Sequence, residues 1–305
     1  MFGRRKDGKK VKNLDIIEKA GVYFMPQRID AVNLYKQKID CDKLDQFILE
    51  EKKNGVHFTY QDILIASIVR LIYNRPKLNR FIMNCQIYQR NYISVSMNIK
   101  KKLSDDGEEV TLKMYFTGRE SIYQVKEIVK KEIEKYLIPT EKEKKKNEKI
   151  DKNETRKTAG FLCKLPNSAF KFALGLVRFL DKGGNLPKSL IHASPFHTSI
   201  YVTNLKSIKL NAIYHHLYNF GTTTMFAALG KEKYEPVTDV TREIRAKKLL
   251  EIGFTLDERV ADGLYYGNSL RMLQKFMENP VVLKEELKEG TCEIDYIIKD
   301  KKIPF

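Results

Sequence analysis

Long apolar runs are absent from this 305-residue chain. Nothing approaches the ~20 consecutive apolar residues that a membrane-crossing helix needs, so no span is expected. Cysteine is also scarce: Cys41, Cys85, Cys163 and Cys292 stand far apart, with no Cys-x-x-Cys pair. That spacing offers neither a disulfide scaffold nor a zinc site, and suits reduced thiols in a cytoplasmic protein. Metal binding is accordingly not expected. Behind the basic start, Met1 to Lys10, there is no apolar stretch of the kind a secretory signal requires.

What the chain does have is apolar content and positive charge. At 42% apolar residues it can bury a substantial core, in one large domain or two ordinary ones. Its net charge of +17 invites a nucleic-acid reading. The lysines, however, are spread along the whole sequence with acidic residues interleaved, and no nucleic-acid motif accompanies them. Specific nucleic-acid binding is therefore not expected.

Periodicity divides the chain into helices and strands. A short helical or irregular segment is expected at Leu14 to Ala20. An amphipathic helix follows from Ile39 to Asn54, stopped by Gly55. Thr59-Tyr60-Gln61-Asp62 can cap a second helix, which Pro76 ends. Strand chemistry takes over at Arg80 to Met83, Gln86 to Tyr88 and Tyr92 to Lys100. A turn at Asp105-Asp106-Gly107 then returns the chain through Glu109 to Phe116. Ser121 to Gln124 forms a capping box for a helix through Tyr136. Glu141 to Lys157, almost wholly Lys, Glu, Asn and Asp, cannot bury a face; it is a solvated connector or a charge patch. Beyond it come a helix at Asn167 to Asp181, strands at Ser199 to Asn204 and Met225 to Leu229, a loop from Gly230, a return strand at Lys248 to Leu256, and a helix at Leu264 to Glu278. Strand character recurs at Glu293 to Ile298. This mixture predicts an α+β sheet protein.

Asp257-Glu258-Arg259-Val260-Ala261-Asp262-Gly263, between the last strand and the last long helix, resembles the His-x-x-x-Asp-Gly motif of chloramphenicol acetyltransferases and of dihydrolipoyl acyltransferase catalytic domains. Tyr201-Val202-Thr203-Asn204-Leu205 is similar to the Thr-Ile-Ser-Asn-Leu segment of the latter, and Phe226 to Lys231 to their Ala-Ile-Leu-Gly strand end. Asn79-Arg80-Phe81 and Asn91 to Ser96 resemble their substrate-side strands. The likeness runs from about Ala31 to Pro280. It implies a chloramphenicol acetyltransferase-like fold over residues 31–283, with 1–30 as a basic lead-in, 141–157 as a charged loop and 284–305 as a charged tail. It further implies a homotrimer with its active-site channel between subunits, and acyl transfer from coenzyme A, or an acyl-coenzyme A, to a small-molecule acyl acceptor. The basic surface would suit that anionic thioester. No lipoyl or subunit-binding domain is present, so no covalent lipoyl group is expected on this chain.

The departure from the motif is at its centre. Where the family has its histidine base, this chain has Glu258. A free Glu, with a pKa of about 4.3 against about 6.5 for His, starts as a base weaker by roughly 3 kcal/mol. Burial raises such carboxylates in enzymes; the alternative is that Glu258 pairs with a neighbour and the site is silent. Thr203 matches the hydroxyl that stabilises the tetrahedral oxyanion, or simply fills a strand. By resemblance Asp262 orders the turn through an arginine, and Gly263 lets the corner close. His216, with His215 and His197, is a candidate replacement base, or a packing histidine. His57 and His192 have no supporting context. The rival to catalysis is an inactive homologue that binds an acyl-coenzyme A or a protein partner.

Overall fold

The computed structural model describes residues 5–100, 104, 107, 109–137, 160, 164–238, 241–294 and 296. Its centre is helix α3 (Tyr60–Asn74), which follows α1 (Ile16–Phe24) and α2 (Asp42–Lys53). Thr59 caps α3 as its sequence predicts. The Thr59 Oγ1 accepts from the Asp62 N–H at 3.2 Å, and the Asp62 carboxylate accepts from the Thr59 N–H at 2.9 Å. All but two of its residues, Gln61 and Asn74, are buried, so this helix is surrounded on all sides and mostly apolar. Helices α4 (Ile122–Leu137) and α7 (Gly263–Glu278) flank it, and α2 packs on α7.

These helices cover one face of a six-stranded mixed sheet. Its strands are β2 (Val32–Asp40), β5 (Ile93–Lys100), β6 (Glu109–Phe116), β7 (Ile200–Asn204), β8 (Met225–Thr238) and β9 (Ile244–Asp257). Their order across the sheet is β2-β9-β8-β7-β5-β6. β7 runs parallel to both its neighbours, and the other pairs are antiparallel. Strand alternation sorts the side chains between faces. Val202, Ala227, Ile252 and Phe254 enter the main core beneath the helices, while Tyr201 and Phe226 point to the opposite face and join Leu217 there. On that opposite face residues 212–213 cross the sheet at Gly230 and Gly253. A Cβ at either glycine would collide with the backbone of Ala212 or Ile213. A small second sheet, β1 (Gly8–Lys10), β4 (Gln86–Arg90) and β3 (Arg80–Met83), sits alongside. Helices α5 (Asn167–Lys182) and α6 (Lys188–Ala193) lead into β7.

The α+β architecture is the expected one, with four local differences. Residues 32–40 form the edge strand β2, and α2 starts only at Asp42; the polar but buried Gln37, between the outward Lys36 and Lys38, hides the strand's alternation. β8 does not end at Leu229, because a bulge between Leu229 and Glu232 lets its pairing with β9 continue to Thr238↔Ile244. That outer half is exposed and polar, so no apolar period reports it. The N-terminal segment is no mere lead-in: β1 pairs with β4, and Asp7 is fully buried. The C-terminal tail also folds back in part, since Leu287 N–H donates to Arg119 O at 2.9 Å and Tyr296 is buried. The 141–157 connector and the Asp105-Asp106 turn lie outside the described residues, as do Asp295, Ile297 and Ile298 of the strand expected at Glu293 to Ile298. Among the described residues no helix is long and apolar enough to cross a membrane.

Candidate functional site

The turn that leaves β9 is fastened from several sides. The Arg259 guanidinium grips the buried Asp257 carboxylate in a fork, Nε to Oδ1 at 2.8 Å and Nη2 to Oδ2 at 2.7 Å. Its Nη1 donates to Met25 O at 2.9 Å, tying the turn to the end of α1. The Tyr266 hydroxyl donates to Asp257 O at 2.8 Å, and Glu258 N–H donates to Ala31 O at 2.9 Å. The buried Tyr266 phenol is held well above its ordinary value by burial first and then by the Asp257 and Glu258 charges.

From this locked turn the Glu258 side chain projects into solvent. It makes no ion pair or side-chain hydrogen bond among the described residues. The nearest arginine in sequence, Arg259, is committed to Asp257. Among the described residues Glu258 is thus not held in a salt bridge. Asp262 is placed differently from its expected role. It is the N-cap of α7, accepting from Tyr265 N–H at 2.7 Å, and it is exposed. The aspartate that pairs with an arginine is Asp257, five positions earlier in the chain. A carboxylate at a strand's last buried position meets the arginine two residues on without a detour, whereas Asp262 has already left the core.

Thr203 lies in β7 on the face opposite the main core, half-buried, beside Ala228 of β8. In register, Thr203 faces Ala228 and Ala228 faces Gly253. Glu258 is a further five residues along the chain. At about 3.3 Å per residue and about 4.8 Å per strand, Thr203 and Glu258 of one chain are roughly 19 Å apart. They cannot touch the same reacting atoms. Of the histidine pair, His215 packs on the Thr203 face, its ring stacked 4.0 Å from Phe226, which in turn stacks on Tyr201 at 5.1 Å. His216 is exposed and meets Tyr218 edge-on at 4.5 Å. His215, not His216, thus stacks on Phe226 at that face, yet the two imidazoles do not diverge: their rings stack on each other at 4.5 Å.

His197 is fully buried. Its Nε2 lies 3.0 Å from Asp181 Oδ2 and its Nδ1 2.8 Å from Ser194 Oγ. A carboxylate only accepts, so Nε2 carries the proton and Nδ1 accepts from the Ser194 hydroxyl. Arg5 holds the other side of Asp181 at 3.0 Å and pairs with Asp7 at 2.9 Å. Burial lowers the His197 pKa against the pull of Asp181. Asp181 is held below the usual carboxylate range: burial works against it, and the His197 hydrogen bond and Arg5 prevail. This network was invisible in the sequence, because Arg5, Asp181 and His197 are remote from one another along the chain. Among the described residues no group of three or more His, Cys, Asp or Glu is arranged to hold a metal ion.

No protein-family model matches the sequence, and no curated protein is significantly similar to it. Solved structures are. The cubic core of the pyruvate dehydrogenase multienzyme complex superimposes with a TM-score of 0.53 at 11% identity, over 90% of this chain and 94% of that one. Dihydrolipoamide acetyltransferase from Azotobacter vinelandii, characterised for the catalytic role of a serine, a histidine and an asparagine, gives 0.53 at 10% identity, over 90% and 94%. A chloramphenicol acetyltransferase gives 0.51 at 11% identity, over 88% and 99%. The class is thus defined by architecture: a mixed sheet with flanking helices. The chain has the fold of the chloramphenicol acetyltransferases and of 2-oxoacid dehydrogenase acyltransferase cores.

Proposed function

We propose that the protein is a coenzyme A-dependent acyltransferase whose site forms between copies of the chain, in a homotrimer. The observation that supports this most is Glu258: a free carboxylate, presented to solvent by a turn that the buried Asp257–Arg259 pair holds rigid. A structural carboxylate would be paired; the side chain of this one makes no ion pair or hydrogen bond among the described residues. Thr203 is roughly 19 Å away in the same chain and its side chain makes no hydrogen bond among the described residues; both find use if the Glu258 turn of one copy meets the Thr203 face of the next.

In this reading Glu258 takes the proton of the acceptor thiol or hydroxyl as its oxygen or sulfur attacks the thioester carbonyl. The Thr203 hydroxyl of the neighbouring copy donates to the oxyanion as charge develops. Collapse breaks the carbon–sulfur bond, and Glu258 returns the proton to the departing coenzyme A thiolate. A second copy closing over Glu258 supplies the desolvation a carboxylate base needs. Asp262 acts indirectly, by capping α7 and fixing where the turn ends.

The test is release of free thiol from acetyl- and longer acyl-coenzyme A across a panel of acceptors. Turnover is expected in the wild type, reduced by roughly 10²-fold or more in Glu258→Gln, and retained in Glu258→His. Undiminished turnover in Glu258→Gln removes Glu258 from the chemistry. Saturable thioester binding without turnover in any variant favours the inactive binding homologue instead.

A further inference from the structure

Beside the Glu258 turn lies a cleft of about 480 Å³ that the motif does not account for. It falls in the range of roughly 300–1,000 Å³ typical of small-molecule sites. Its walls come from the α1–β2 connection, the β3–β4 turn, the end of α5 and the loop at residues 219–221; Arg28, Arg178, Asp181, Lys182 and Arg259 are its charged residues. Two of these charges are already engaged. Arg259 is neutralised by Asp257, and Asp181 by Arg5. Three cations remain, and none has an ion-pair partner among the described residues.

Arg28 is the unusual one. It is 5% exposed, yet the groups it contacts are backbone carbonyls: Tyr218 O and Gly221 O, each at 2.7 Å. Its Nε is buried with no hydrogen-bond partner. Gly221 is needed for this contact. It sits at φ +83°, and a Cβ there would strike Phe196. A guanidinium taken out of water without a carboxylate is costly, and burial lowers its pKa to about 10, the pull of Asp257 notwithstanding. Arg178 and Lys182, one helical turn apart on α5, are exposed above the same cleft. Fixed positive charge in a walled concavity focuses its field on whatever enters.

We propose that this cleft binds a small organic anion, a phosphate- or carboxylate-bearing molecule, clamped between Arg28 at its floor and Arg178 and Lys182 at its mouth. Because Arg259 is part of the wall and Glu258 precedes it, the anion is the acyl acceptor; that assignment rests on the acyl-transfer reading, whereas the anion site does not. The same charges would suit the phosphates of coenzyme A, and the experiment separates the two sources.

Titration calorimetry of the full chain with inorganic phosphate and with succinate, at ionic strength held constant with chloride, should give saturable binding. The double variant Arg178→Glu/Lys182→Glu alters only exposed side chains, and should weaken that binding at least tenfold; Arg28→Met should abolish it. Since Arg28→Met also removes contacts to the 218–221 loop, the double variant is the deciding one. No saturable heat in the wild type, or undiminished affinity in the double variant, overturns the site. Repeated with saturating coenzyme A, unchanged anion affinity supports the acceptor assignment, and competition overturns it by showing the cleft to be a seat for the coenzyme's phosphates. Thiol release, measured separately, keeps the two readings distinguishable. Anion binding without turnover sinks acyl transfer and leaves the site, and turnover without anion binding does the reverse.

Discussion

Two carboxylates of this molecule, Asp181 and Glu258, have opposite surroundings. Asp181 is buried, touches a histidine and an arginine, and lies in a satisfied network with Ser194. By residue type alone it looks like a catalytic triad. Glu258 is exposed, and among the described residues its side chain makes no ion pair or hydrogen bond. The difference teaches that partners and access trade against each other. A buried, fully bonded acid–imidazole pair stabilises a fold; on the proposed reading, the base that must meet substrate is held by its backbone and left with its own side chain free.

That contrast breaks first if the Asp181 network is dispensable. Asp181→Ala leaves Arg5 and His197 buried and half-satisfied, and should cost about 3–5 kcal/mol of stability by denaturant titration. Glu258→Gln should move stability by less than about 0.5 kcal/mol, as expected of an exposed side chain. A large stability loss from Glu258→Gln, or none from Asp181→Ala, would merge the two cases.

Acid sharpens the comparison next. His197 is depressed below its ordinary 6.5 in the folded chain, so between the two values the unfolded chain binds the extra proton. The stability it contributes is full above about pH 6.5 and falls as pH drops below that. The Asp181 contribution, with its folded value lowered below 3.8, is lost only in stronger acid. Urea midpoints at pH 8 and pH 5.5 should therefore differ in the wild type, and differ less in His197→Asn. The smallest effect belongs to Asp262→Ala. Removing an exposed N-cap should cost about 1 kcal/mol, read as a modest shift in midpoint; a loss as large as that of a buried ion pair would restore Asp262 to a deeper role.

Much of the fold was legible because its core elements carry their periods openly. The capping box at Thr59, the alternation of Ile93, Val95, Met97 and Ile99, and the breaker at Pro76 each have a local cause that the structure repeats. β2 and the outer half of β8 were missed because exposed strands bear polar residues on positions that a core strand would make apolar. At the candidate site, Glu258 and Thr203 were singled out by motif spacing; the structure shows the first exposed and the second half-buried. The Asp257–Arg259 pair carried a faint signal, two opposite charges flanking Glu258 in the turn. Arg28 carried none. Its significance comes from burial beside carbonyls far along the chain, which no local pattern encodes.

The central claim is that Glu258 and Thr203 act together only across copies. Mixing tests it most directly. Glu258→Gln and Thr203→Val are each expected to be nearly inactive as pure proteins. Co-refolded in equal amounts, they form mixed trimers in which about a quarter of the sites combine an intact Glu258 from one chain with an intact Thr203 from another. Turnover should recover to about that fraction of the wild type. A mixture no more active than its components would contradict the shared site.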